Sequence, residues 1–145
     1  MTQSRPTLNK INIPVRDMDA TIAFYRRLGL EITADAGAYR VNFQLSNGME
    51  LDFDSVSFVP QWDSGWSGST GGNSVLGFSV ATRERVDELY ADLVTAGYQG
   101  HQPPYDAFWG ARYAMVNDPD GNAVGLMSPI EKEREFWPPK LPPTA

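Results

Sequence analysis

The sequence predicts an α+β protein built from two copies of one strand-helix-strand module. Three observations carry this expectation. Short segments that read as strands flank two segments with helical periodicity, the same order of elements occurs twice, and a glycine- and serine-rich run, WDSGWSGSTGGN, separates the two occurrences. A chain of 145 residues with 41% hydrophobic and 12% aromatic content suits one globular core, so a single domain over residues 1–145 is expected.

Ile11 to Val15 form the first predicted strand. Asp17 then offers a helix cap, Ile22, Phe24, Tyr25 and Leu28 recur at helical spacing, and Gly29 ends the helix. Leu30 to Thr33 and Ala38 to Leu45 read as strands, and Ser46-Asn47-Gly48 turns the chain into Met49 to Asp54, where apolar and acidic residues alternate. These elements make one βαβββ module over about residues 8–54, followed by a linking loop over 55–73. The second module, about 74–128, repeats the order: Ser74 to Val80, a helix capped by Thr82 and closed by Gly97, Ala111 to Val116, the turn Asp118-Pro119-Asp120-Gly121, and Asn122 to Ser128. A proline-rich tail over 129–145 is expected to pack only through Phe136 and Trp137.

Aligning the halves tests the repeat. Tyr25 and Leu28 fall on Tyr90 and Leu93, 65 residues on, while Arg40 falls on Arg112 at an offset of 72 and Gly48 on Gly121 at 73. Composition limits the partners. Eighteen acidic against 12 basic side chains leave a net charge of −6, which repels phosphate backbones, so nucleic acid is not expected. The absence of cysteine excludes disulfides, thiolate nucleophiles and cysteine-based metal sites. No apolar run approaches the roughly 20 residues of a membrane span, and the opening MTQSRPTLNK does not read as a signal peptide, so a cytoplasmic protein without a membrane partner is expected.

The opening NIPVRDMDATIAFYRRLGLEI and the later FWGARYAMVNDPDGNAVGLMSP resemble the vicinal oxygen chelate superfamily of glyoxalases, bleomycin-resistance proteins, fosfomycin-resistance enzymes and extradiol dioxygenases, over about Leu8 to Ser128. The resemblance implies that the two modules form a cup-shaped curved mixed sheet with helices outside and a small-molecule ligand inside. Metal-using members take ligands from the first and last strand of each module, and those positions are Lys10, Asp52, Val75 and Gly125 here. Only Asp52 among them could bind a cation, and a divalent ion needs about three such ligands, so neither metal nor other cofactor is expected. The VDELYADL helix and the FWGARYAMVNDPDGN segment are most similar to the metal-free bleomycin-resistance type, which implies a homodimer that sequesters a cationic or aromatic small molecule.

Strand alternation supplies the expected ligand face. In the first module it comprises Lys10, Asn12, Arg40, Asn42, Gln44, Glu50, Asp52 and Asp54; in the second, Val75, Gly77, Ser79, Arg112, Ala114, Val116, Ala123, Gly125 and Met127. The first set can equally meet solvent, with Lys10 and Asp52 paired as ions. Trp62, Trp66, Phe108 and Trp109, set in connections, suit stacking on a planar ligand, or alternatively loop packing or a dimer interface. His101, the one histidine, falls in the predicted loop QGHQPPYDAFWG, either as an exposed side chain or as a base. Three functions follow: a metal-free binder that sequesters a drug or metabolite; a lyase or isomerase using Glu50 or Asp52 as base, with metal-dependent lyase or dioxygenase chemistry disfavoured by the missing ligands; or a sensor or interaction module whose cup is closed by the tail around Trp137. The second predicts turnover and the first does not.

Overall fold

A computed structural model of the chain describes residues 5–137. The described residues form a mixed α+β fold with a three-stranded and a four-stranded sheet and two α-helices, and no closed barrel is found among them. The chain divides into two compact units at Gly71–Gly72, within the predicted linker.

In the first unit, β1 (Lys10–Val15) leads to α1 (Met18–Leu28), then β2 (Arg40–Gln44) and β3 (Glu50–Ser55), with sheet order β1-β3-β2. Asp17 caps α1 as expected, its Oδ1 accepting from the Ala20 amide at 3.0 Å. Gly29, at φ 125°, ends the helix where a side chain would be strained. α1 buries Ile22, Phe24, Tyr25 and Leu28; Tyr25 meets Phe24 edge-on and stacks at a tilt on Phe53, each with ring centroids 4.9 Å apart. Parallel β1 and antiparallel β2 both pair with β3, so Ile13, Val41, Leu51 and Phe53 fall in register as a buried row.

The predicted strand Leu30 to Thr33 does not form. Its polar groups have local partners: the Ile32 amide donates to Leu30 O, and Arg26 Nε donates to Ile32 O at 2.8 Å, so the segment is pinned to the end of α1. Ile32 is buried all the same, which explains why its sequence resembles a strand.

The second unit runs β4 (Val75–Ser79), α2 (Arg83–Thr95), β5 (Gly100–Asp106), β6 (Arg112–Asn117) and β7 (Ala123–Met127), with sheet order β4-β7-β6-β5. Thr82 Oγ1 caps α2 by accepting from the Arg85 amide, and Asp118 Oδ1 holds the β6–β7 turn by accepting from the amides of Asp120 and Asn122. Val86, Leu89 and Leu93 of α2 are buried with Ala114, Val116, Val124 and Leu126 of the sheet.

β5 overturns the loop expected over this stretch and places His101 on a strand. Pro103 and Pro104 argued against a strand, since proline cannot donate to a ladder. β5 lies at the sheet edge, where missing donors are tolerated, and its pairing with β6 shifts register on both sides of Gln102.

The tail is held by more than its aromatic side chains. Glu131 N donates to Gly110 O, Phe136 N donates to Phe108 O, and the Trp137 ring lies 5.7 Å from that of Phe108. The remainder of the predicted tail, 138–145, lies outside the described residues. Because Phe53 is fully buried beneath Tyr25, Phe53→Ala is expected to cost about 3–5 kcal/mol in urea unfolding, against about 1 kcal/mol for removing the α2 cap with Thr82→Ala.

Candidate functional site

The three-stranded sheet gathers the first module's predicted polar residues. Register sets Lys10 beside Glu50, Asn12 and Asn42 on either side of Asp52, and Arg40 beside Asp54. Asp52 and Asp54 are fully buried, which is costly for carboxylates unless cations and donors face them. Those partners are present. Lys10 Nζ lies 3.2 Å from Asp52 Oδ2 and 3.1 Å from Glu50 Oε2. Arg40 spans both aspartates, 3.1 Å from Asp52 Oδ2 and 3.2 Å from Asp54 Oδ1, and Asn12 Nδ2 donates to Asp54 Oδ2 at 3.1 Å.

Burial pushes the Asp52 carboxyl up, but hydrogen bonds from Asn42, Arg40 and Lys10 outweigh it and hold the group below the usual carboxylate range. Hydrogen bonds to Glu50 and Asp52 raise Lys10 above the usual lysine range. The Lys10–Asp52 pair expected from sequence is therefore present, within a wider network.

The four-stranded sheet presents a different face. Register aligns Val75 with Ala123, Gly77 with Gly125 and Ser79 with Met127, and on β6 it aligns Tyr113, Met115 and Asn117 with Met127, Gly125 and Ala123. The residues grouped on β4 and β7 do share one side of the sheet, whereas those grouped with them on β6 do not. There Arg112, Ala114 and Val116 share the opposite face, and Arg112 pairs with Asp87 of α2 at 2.9 Å. Arg40 thus corresponds to Tyr113, not Arg112: the offset is 73 throughout β2 and β3, and a slip of one residue exchanges the two faces of a strand.

Correcting the register adds Tyr105 and Tyr113, which the sequence reading missed, to the predicted aromatic residues Phe108 and Trp109. Tyr105 of β5 sits opposite Tyr113 with ring centroids 6.2 Å apart, and Trp109, in the β5–β6 turn, meets Tyr113 at 5.4 Å and Tyr105 at 6.4 Å, all near edge-on. Trp109 Nε1 donates to Met127 Sδ at 3.3 Å, and Phe108 packs edge-on against Trp109. Burial, and next the neighbouring Tyr105, pushes the Tyr113 phenol up. A Cβ at Gly125 would stand 2.6 Å from Tyr113 Oη, so the phenol covers the glycine backbone directly. The alternation Tyr113, Met115 beside Gly125 was the available signal, but it required the right register.

The remaining predicted residues lie elsewhere. Trp62 closes a short 3-10 turn and is half exposed, and Trp66 Nε1 donates to Ser69 O within its own loop.

The model of the Glyoxalase/Bleomycin resistance protein/Dioxygenase superfamily matches residues 7–126. The chain belongs to this superfamily. Among solved structures it is similar to a glyoxalase-related enzyme from Fulvimarina pelagi, at 25% identity and TM-score 0.73 over 85% of this chain and 88% of that one. A protein of unknown function from Agrobacterium tumefaciens str. C58 is 28% identical, with TM-score 0.67 over 89% and 98%. A lactoylglutathione lyase from Agrobacterium tumefaciens, at 19% identity and TM-score 0.63 over 87% and 96%, shares the fold. Comparison with curated proteins gave no significant match.

Of the four positions matched to the superfamily's metal ligands, Lys10 and Asp52 are joined as an ion pair, Val75 offers no donor, and Gly125 lies under Tyr113. Among the described residues no three His, Cys, Asp or Glu side chains gather as a metal site would require.

Two outcomes are expected. An aspartate whose folded pKa is depressed stabilises the protein above the ordinary carboxylate pKa and loses that contribution as pH falls through the folded value. Asp52→Asn should therefore cost about 2 kcal/mol near neutrality and flatten the fall in stability below about pH 4, as read from urea unfolding across pH. Gly125→Ala should cost about 1–3 kcal/mol through its clash with Tyr113, and a double-mutant cycle with Tyr113→Ala should show the two sites to be coupled.

Proposed function

We propose that the protein is a metal-free binder that sequesters a small, planar, cationic molecule on the aromatic face of its second unit. One observation carries this reading: the inherited ligand positions are filled by the chain's own groups, the Lys10 ammonium at Asp52 and the Tyr113 phenol over Gly125. An ammonium in contact with the one remaining carboxylate excludes a divalent ion by repulsion and by occupying its ligand. In place of metal chemistry the second unit offers three rings and the Met127 thioether, a surface suited to planar ligands. Rings of this kind also attract cations through their faces, and the net charge of −6 raises the local concentration of cationic ligands.

Catalysis by Asp52 is the weaker alternative. A general base works best with a pKa near the working pH, whereas the cations and amides around Asp52 move it the opposite way. The proposed setting is a cytoplasmic homodimer holding a drug or metabolite, without nucleic acid or membrane partners.

Titration with a planar aromatic cation, an acridine dye, tests the proposal by tryptophan fluorescence with chromatography of the recovered dye. Saturable quenching, dye recovered unchanged, and affinity reduced about fivefold in Tyr113→Leu are expected, the loss of one ring contact being worth about 1 kcal/mol. Chemical conversion of the dye, or equal affinity in Tyr113→Leu and in the wild type, would contradict it.

A further inference from the structure

We propose that a recess at the opposite end of the same sheet face is a second binding site, selective for small neutral molecules carrying a hydroxyl group that donates to His101 Nε2. The recess, about 370 Å³, is lined by His101 of β5, Met115 and Asn117 of β6, Ala123 of β7, and Ser74 and Val75 at the start of β4. That volume lies at the small end of ligand sites, which span roughly 300–1,000 Å³. It stands independently of the aromatic cluster, since Tyr105, Trp109 and Tyr113 do not line it.

The chemistry of the recess follows from a chain of hydrogen bonds. Asn117 Nδ2 donates to Gln99 Oε1 at 3.3 Å, which orients the amide and turns its oxygen toward His101. Asn117 Oδ1 lies 3.0 Å from His101 Nδ1, and an amide oxygen only accepts, so Nδ1 carries the proton. In the neutral imidazole Nε2 is then left with a lone pair that can accept from a donor entering the recess. A strand bulge gives this ring its position, because Gly100 pairs with Val116 and Gln102 with Met115, leaving His101 out of the ladder.

The rest of the lining defines the ligand. It contains no carboxylate, ammonium or guanidinium, so nothing in it compensates a charged ligand. Val75, 48% exposed, and the Met115 side chain supply apolar surface beside the imidazole. A small ring bearing one hydroxyl, a phenol or an enol, fits with its ring against Val75 and Met115 and its hydroxyl on the imidazole, beside the polar side chains of Asn73 and Ser74.

The chain has one histidine, so its imidazole signals need no assignment. Long-range proton–nitrogen correlation on the ¹⁵N-labelled full chain, above the pH at which the ring is protonated, should show hydrogen on Nδ1. Phenol should then shift Nε2 and the Met115 methyl saturably, while anisole, its methyl ether without a donor, should bind at least tenfold more weakly. Asn117→Leu should return the proton to Nε2 and weaken phenol about tenfold, and Gln99→Leu, which frees the Asn117 amide to turn, should move both readouts the same way. A proton on Nε2 in the wild type, equal binding of phenol and anisole, or no saturable shift at His101 would each overturn the proposal.

Discussion

A carboxylate buried in the middle of a three-stranded sheet constrains much of the first unit. Asp52 lies on the central strand, fully buried and flanked in register by Asn12 and Asn42. Such a group is tolerated only where cations and donors surround it. The polar rows of β1 and β2 provide them, and Lys10 and Arg40, each more than a third exposed, keep contact with water while their charged ends reach inward. The apolar alternates of the same strands, Ile13, Val41 and Phe53, form the core against Tyr25. One alternating pattern thus builds both the charge network and the packing beneath it.

The second unit solves the corresponding position without charge. Gly125 matches Asp52 in the repeat, and a phenol ring covers it where the first unit places an ammonium. Arg112 belongs to another network: with Arg83 it engages Asp106, and it also binds Asp87, tying β5 and β6 to α2. In the repeat, an ammonium thus covers Asp52 of the first unit and a phenol covers Gly125 of the second.

Much of this was legible in the sequence because the signals were local. Caps at Asp17 and Thr82, the turns closed by Gly48 and Gly121, and the alternation of β3 depend on neighbours within a few residues. The failures lay in contacts and pairings that residue patterning alone does not encode. Whether residues 30–33 pair depended on Arg26 taking Ile32 O, and whether a Pro-Pro segment forms a strand depended on its place at the sheet edge. The face of β6 depended on an offset of one residue, and with it went the aromatic cluster of Tyr105 and Tyr113. The charged face could be read from β1 and β3 alone; the aromatic face required three strands in register.

Elemental analysis combined with native mass spectrometry tests the closed-site interpretation most directly, on protein purified without chelator and then supplied with zinc, nickel or manganese. Closure by Lys10 and Tyr113 predicts substoichiometric metal that is unchanged in Asp52→Asn. One metal ion per chain, lost in Asp52→Asn, would contradict it and restore metal chemistry to this member of the superfamily.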